Sequence, residues 1–494
     1  MWTRFKRNMS SHSLSEQEVT SSLSWLIQDG IAAQLMESLT AGPILVALAL
    51  SMGASNALIG YLVALPFLAN LAQFPAAYLV DKYHARKWLA IPVSMSGRMC
   101  IPLIACLAFF PQTSGAPFWL ALFYTGRYIG ASFAGAPWNS WMKDLIPPQI
   151  LGRFFSRRLK WVMAASLCAT LSSAFFLNIW PYDKNDFYGI LISIAAVIAV
   201  YSGYIYYHIQ EPLMEAAPLL QEHFLIRIKK VFHDQNFTRL MLFLGSWNFS
   251  VNLAVPFFTV FILQGLELSL SFVLILTTLT QVISVLVMGT WGKISDNFSN
   301  KSILQVSAPI YILCIFLFLF TGIPDKHMLT IPLLILIYAL MGIAQAGITL
   351  ASNNIALKLA PKGSAAIYLS VNGTLNAAMA GTAPILGGLF ADFFAHKEMS
   401  LNLIWSTATD FKDFTLFYMH HWDFFFLFAT ILASCSLAFL KRVQEKGEVT
   451  EKIVISSFLS EFSKSLNASY LLPYKVFLFL SRKKYKENLE KKKQ

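Results

Sequence analysis

Ala77-Tyr78-Leu79-Val80-Asp81-Lys82-Tyr83-His84-Ala85-Arg86-Lys87 closes the second long apolar run of this chain. Gly292-Lys293-Ile294-Ser295-Asp296-Asn297-Phe298-Ser299-Asn300-Lys301 closes the eighth. Each stretch sets a small residue first, an aspartate four positions on, and a basic residue five positions after that. The two aspartates stand 215 positions apart. So do Asn139 and Asn354, and so do Lys143 and Lys358, at the ends of the fourth and tenth apolar runs. Coincidences at one offset, in corresponding places, indicate an internal duplication.

The composition sets the class. Of 494 residues, 56% are hydrophobic and 13% charged, more apolar surface than a soluble core can hide. The apolar runs do not alternate as barrel strands would, so they read as membrane helices of about 20 residues. Twelve are expected, near 26–51, 56–80, 88–109, 117–140, 159–180, 189–208, 237–263, 268–291, 302–322, 329–351, 365–393 and 421–440. The expected fold is an all-α polytopic membrane protein with two pseudo-symmetric six-helix bundles. Its parts are an N-terminal segment (1–25), a first bundle (26–208), a central loop (209–236), a second bundle (237–441) and a basic tail (442–494).

Charge orients it. With the N-terminus inside, 32 of the 38 Lys and Arg fall on inner connections and termini, and four on outer loops. That bias puts both termini in the cytoplasm. The net charge of +12 is therefore a topology and lipid-headgroup signal, with the tail (Arg482-Lys483-Lys484, Lys491-Lys492-Lys493) on anionic lipid and no nucleic-acid partner. Arg4, Lys6 and Arg7 precede no apolar core of a cleavable signal, so the first helix must direct insertion. Asn467-Ala-Ser has the glycosylation pattern but lies inside and should be silent. The five cysteines lie in apolar runs without metal spacing, and His420, His421 and Asp423 read as interfacial anchors, so neither metal nor cofactor is expected.

With twelve runs, a central loop and the doubled turn, the chain resembles the major facilitator superfamily over about residues 25–441. That family's loop signature is G-x-x-x-D-R-x-G-R-R. The first copy here keeps Asp81, Lys82 and Arg86; the second keeps Gly292, Asp296 and Lys301. Ala77, His84, Ala85, Ser299 and Asn300 depart from it. Gly126-Arg127-Tyr128-Ile129-Gly130 partly matches the family's R-x-x-x-G pattern in the fourth helix. The resemblance implies alternating access, and a substrate or proton-coupling role for Arg127.

An ionisable side chain at bilayer depth costs several kcal/mol and needs a partner, a wet cavity or a function. Glu37 lies roughly 16 Å into the first run at about 1.5 Å per residue. Arg98 and Arg127 lie at similar depth in the third and fourth. If Glu37 pairs with one arginine, the other is left over, which suits an anionic solute. Glu37 is the first candidate proton carrier, and Asp29, nearer the inner mouth, the second, unless it is simply a solvated helix-end acid. Gln34, Trp247, Asn248, Asn252, Gln281, Gln345, Asn372 and Asn376 are candidate solute contacts, against the plainer role of amides that join helices. Asp81, Lys82, Arg86, Gly292, Asp296 and Lys301 are expected to latch the halves on the inner side.

These readings converge on a monomeric, multi-pass secondary transporter of the plasma or inner membrane. It would move a small polar organic solute, anions included, with protons as coupling ion. A lipid- or glycan-modifying membrane enzyme would need a catalytic cluster, for which the loops offer Glu222, His223, His396 and Glu398 without a recognisable spacing. A non-transporting receptor of the same fold is the third reading.

Overall fold

A computed structural model describes residues 15–83, 86–147, 150–212, 224–322, 327–361, 365–395, 397–406 and 411–464. Arg4, Lys6, Arg7, Glu222, His223, His396, Asn467 and the distal tail lysines fall outside these, as do the side chains of Asp81, His420 and His421.

Among the described residues twelve long helical stretches follow one another: α1 (Glu16–Ser51), α2 (Asn56–Val80), α3 (Arg86–Phe109), α4 (Ala116–Leu145), α5 (Leu151–Ile179), α6 (Lys184–His208), α7 (Gln235–Gly265), α8 (Leu270–Asn297), α9 (Asn300–Thr321), α10 (Thr330–Leu359), α11 (Ala365–Phe394) and α12 (His421–Arg442). Among the described residues, eleven segments are long and apolar enough to cross a membrane. The helix outside that set is α4, where Arg127 and the neighbouring Tyr, Trp and Gly residues dilute a 30-residue span. Side-chain oxygens of Ser15, Ser55, Ser269 and Ser299 cap helix starts, satisfying backbone N–H groups that apolar surroundings would leave bare. One element departs from the all-helical expectation. The 396–420 connection, read as a loop, contains the antiparallel pair β1 (Glu398–Ser406) and β2 (Phe411–His420), with an irregularity between Leu401 and Asn402.

The first six and last six helices form two halves. A buried aromatic cluster consolidates the second: Phe258 stacks on Phe318 at 4.0 Å, and Phe257 meets Phe425 edge-on at 5.1 Å. The halves meet along α2 with α11 and α5 with α8. The α2–α11 contact is closest towards one end, where glycine lets backbones touch. A Cβ on Gly60 would collide with the Pro384 carbonyl, and one on Gly388 with the Asn56 carbonyl. At this end the Asp392 carboxylate of α11 caps α2. Its Oδ1 accepts from the Asn56 backbone N–H (3.1 Å) and Nδ2 (2.9 Å), and its Oδ2 from the Ala57 N–H (2.9 Å). A carboxylate at a helix N-terminus is favoured by both hydrogen bonding and the helix dipole.

Asp392→Asn should weaken this junction by about 1–3 kcal/mol, a shift of about fivefold to a hundredfold towards separation of these ends. Spin labels at Gln112 and Lys397 should report a longer, broader distance distribution than in the parent; an unchanged distribution would remove Asp392 from the junction's energetics.

Candidate functional site

The charged centre is built on a break in α1. Its first part, Glu16–Thr40, ends at Ala41, and a second, Pro43–Ser51, starts after Gly42. Gly42 has φ of +59°, a backbone region open to glycine at little cost, and Pro43 at the first helical position cannot supply an N–H to continue the ladder. The break frees the Thr40 carbonyl, which accepts a hydrogen bond from the Tyr124 hydroxyl of α4. One turn earlier, the Glu37 carboxylate accepts from Arg127 Nη2 at 2.7 Å and from the Tyr128 hydroxyl at 2.9 Å. Tyr124, Arg127 and Tyr128 sit at i, i+3 and i+4, so one face of α4 clamps the break. Arg127 is 8% exposed and Glu37 43%, so the carboxylate is the half of the pair that open space can reach. A Cβ on Gly130 would meet Gly97 Cα at 2.8 Å, which lets α3 and α4 approach closely beside Arg127.

A second buried cluster lies nearer the start of α1. Asp29, 4% exposed, stands 3.9 Å from both Arg98 of α3 and Arg158 of α5. Arg98 also donates to the Ser202 hydroxyl and, at 3.4 Å, to the Tyr206 hydroxyl of α6. Arg158 donates to the Leu26 carbonyl at 3.2 Å and lies over Gly30, where a Cβ would meet its guanidinium at 2.7 Å. Two expectations are corrected. Asp29 is a buried counter-ion, not a solvated helix-end acid, and Arg98 is not left over once Glu37 takes Arg127. The excess positive charge sits instead on the Asp29–Arg98–Arg158 group, through an arginine that stands one residue before the expected 159–180 run.

The amide residues lie elsewhere. A cavity of about 1050 Å³ is bounded mainly by α7, α8, α10 and α11, and Trp247, Asn248, Asn252, Gln281, Gln345, Asn372 and Asn376 all line it. Gln34 does not; it donates to Ser38 (3.4 Å) and to Ser166 of α5 (3.2 Å), joining helices of the first half. Glu37, Arg98, Arg127 and Asp29 are also absent from the lining. The first half contributes apolar positions to the wall, among them Pro43, Val46, Val63 and Phe67. Ser352 Oγ, Asn372 Oδ1 and Asn376 Oδ1 are buried without a protein partner. Each such atom costs about 1–3 kcal/mol while unsatisfied. The cavity follows α11 from Leu369 to Asn376, beyond which Gly381 and Gly388 close against α2.

The paired turns bind inward, each to its own half. Arg86 is fully buried; it donates to the Ser140 carbonyl (3.0 Å) and the Pro212 carbonyl (2.8 Å) and pairs with Asp144. Its backbone N–H donates to Glu211, three residues past α6, at 2.9 Å. Lys301, its counterpart at the 215 offset, pairs with Glu448 at 2.8 Å, and its N–H donates at 2.8 Å to Glu445, three residues past α12. Glu445 also pairs with Lys358 at 2.9 Å. Lys82 and Asp296 are exposed, and Gly292 faces open space. Among the described residues no ion pair joins these turns across the halves. The acids that match them in each half, Glu211 and Glu445, were missed because their role depends on how the chain returns after α6 and α12.

Long apolar helices in two halves, with a polar-lined cavity mainly in the second and buried ion pairs in the first, define a multi-pass membrane protein. The family model described as Major Facilitator Superfamily matches residues 30–384, and the chain belongs to that family. Its structural relatives include a point mutant of the nucleoside transporter NupG (13% identity, 86% of this chain and 100% of that chain covered, TM-score 0.66). A D-xylose–proton symporter (11% identity, 87% and 99% covered, TM-score 0.60) and an inward-facing bacterial homologue of the lysosomal transporter Spinster (17% identity, 77% and 84% covered, TM-score 0.54) are also similar. No curated protein matches the sequence.

Gly42→Ala should cost about 1–2 kcal/mol, because alanine pays for positive φ. The melting temperature of the purified protein should fall by several degrees, and Gly42→Asn should fall with it, because ψ of −136° takes this residue out of the left-handed well that asparagine tolerates. Equal stability of the three proteins would mean the positive-φ turn does not hold the break.

Proposed function

We propose that this protein is a secondary transporter that carries a small polar organic solute by alternating access, using the proton gradient. The single observation that carries this reading is the separation of tasks. The amide-lined cavity lies in the second half, and a partly exposed carboxylate, Glu37, is tied to buried Arg127 at the break in α1 of the first. The halves 26–208 and 237–441 act as the rocking bodies, joined by the 209–236 connection. With both termini cytoplasmic, as the lysine and arginine bias directs, the Asp392 junction lies outside and the cavity opens inwards. Arg86 and Lys301 serve their own halves in this state; the inner latch forms when α2 and α8 reach the opposite half.

Protonation is the coupling step. A proton on Glu37 cancels its charge and loosens its hold on Arg127 and Tyr128, so the two parts of α1 can move relative to α4. Because Pro43 and Val46 line the cavity, this movement changes the solute site directly. The D-xylose–proton symporter among the structural relatives supports proton coupling on this fold. Arg127 is matched by Glu37, and the one positive charge left over is shared within the Asp29–Arg98–Arg158 group, which lies outside the cavity lining.

In proteoliposomes, Glu37→Gln should lose gradient-driven accumulation by about tenfold or more while equilibrium exchange of the same solute continues. Accumulation unchanged from the parent would sink Glu37 as the proton carrier. Loss of exchange as well would assign it to solute binding or to folding.

A further inference from the structure

The chemistry of the cavity wall narrows the solute class; the argument rests on the reading of that cavity as the transport site. Among the described lining residues there is no Asp, Glu, Lys, Arg or His. The nearest candidate charge, Glu37–Arg127, is an internally neutralised pair outside the lining. A charged solute would leave water for a site with no opposite charge, and the loss of hydration would go uncompensated.

The amides have a polarity of their own. Asn248 donates through Nδ2 to the Leu244 carbonyl at 2.8 Å, and Asn252 to the Asn248 carbonyl at 2.8 Å. These bonds to the preceding helical turn fix each carboxamide with its nitrogen against the helix, leaving the oxygen for another partner. Asn372, 7% exposed, and Asn376, one turn on, each hold a buried Oδ1 that no protein donor reaches, and Ser352 Oγ is in the same condition. These three oxygens are closed off even from water, so the amide acceptors left uncommitted at the cavity face are those of Asn248 and Asn252, beside the N–H and O–H groups of Trp247, Gln281, Gln345 and Tyr311. Opposite them, Val46, Val63 and Phe67 offer only carbon, and Trp247 and Tyr311 pack edge-on at 6.0 Å beside the amides.

We propose that the transported solute is uncharged, ring-sized and two-faced, with hydroxyl or N–H groups turned to the amides of α7 and α11 and an apolar face turned to α1 and α2. Neutrality follows from a wall without charge, and the two faces follow from amides and hydroxyls on one side and carbon on the other. Hydrogen bonds to these amides are what a hydroxylated solute gains over apolar cargo.

The test uses the purified full-length chain and matched probes, with binding followed by thermal shift and titration calorimetry. The sets are glucose with glucuronate, glucosamine and fully O-methylated glucose, and uridine with uridine 5′-monophosphate and fully O-methylated uridine. At least one neutral donor-bearing member should bind about tenfold or more tightly than its charged and methylated partners. Asn372→Ala and Asn376→Ala should each weaken that binding by about tenfold. Asn372→Ser and Asn376→Ser, with the unliganded melting temperature as control, serve if an alanine variant does not fold. A charged or methylated member that binds as well as its neutral partner overturns the proposal, as does a panel in which no neutral member binds. If a charged member binds and Asn376→Ala weakens it, the cavity stands as the site and only the solute class falls. If binding ignores both asparagines, the reading of the cavity falls with it.

Discussion

A charge at bilayer depth can stay there only if something nearby neutralises it, and the first half of this protein is arranged around that constraint. Glu37 and Arg127 meet at 2.7 Å where α1 is broken; Asp29 answers Arg98 and Arg158 where α1, α3, α5 and α6 converge. Each carboxylate is on α1. Moving α1 therefore disturbs both of these charged groups at once, and protonating one carboxylate changes what holds α1 in place. Tyr124 and Tyr128 extend the same dependence, because one caps the carbonyl freed by the break and the other bonds the carboxylate.

The second half follows a different rule. Its cavity face is built from neutral amides and hydroxyls, and its interior is stiffened by stacked phenylalanines. The sequence duplication is thus a duplication of scaffold, visible in Arg86 with Glu211 and Lys301 with Glu445, where a basic residue at a helix start binds the chain returning from the last helix of its half. The chemistry placed on the scaffold is not duplicated. Asn252, at the 215 offset from Glu37, faces the cavity, whereas Glu37 faces Arg127.

The apolar runs were legible because a membrane segment must be long and apolar: eleven of the twelve expected segments coincide with helices able to cross a membrane by length and composition, and 117–140 falls on α4, which is as long but more polar. Their ends were less legible, since helices continue into polar residues. α1 starts at Glu16, ten residues before its apolar run, and α10 runs on to Leu359. The seven cavity residues on α7, α8, α10 and α11 were found because uncharged polar side chains inside apolar runs are conspicuous. Pairing was not legible, because it depends on which helices face one another. Arg158 stands just before an apolar run, Asp29 near the start of one and Asp392 at the end of one, and only the packing of α1 on α5 and of α2 on α11 gives them partners. The Gly42-Pro43 dipeptide was a turn signal in plain view, hidden by the apolar residues on both sides of it. The β1–β2 hairpin shows in the sequence only as the short alternation Met399-Ser400-Leu401-Asn402-Leu403, a period that a reading for long apolar runs passes over.

The central claim is that one cavity opens to one side of the membrane at a time. A single cysteine at Thr349, exposed in the cavity, in a background without the exposed Cys106, Cys168 and Cys435, tests it most directly. A membrane-impermeant maleimide is applied to each face of oriented proteoliposomes, without and then with an inward proton gradient. The account predicts labelling from the inner face at rest and a gradient-dependent gain of labelling from the outer face as inner labelling declines. Simultaneous labelling from both faces, or access from one face that no gradient alters, would contradict it.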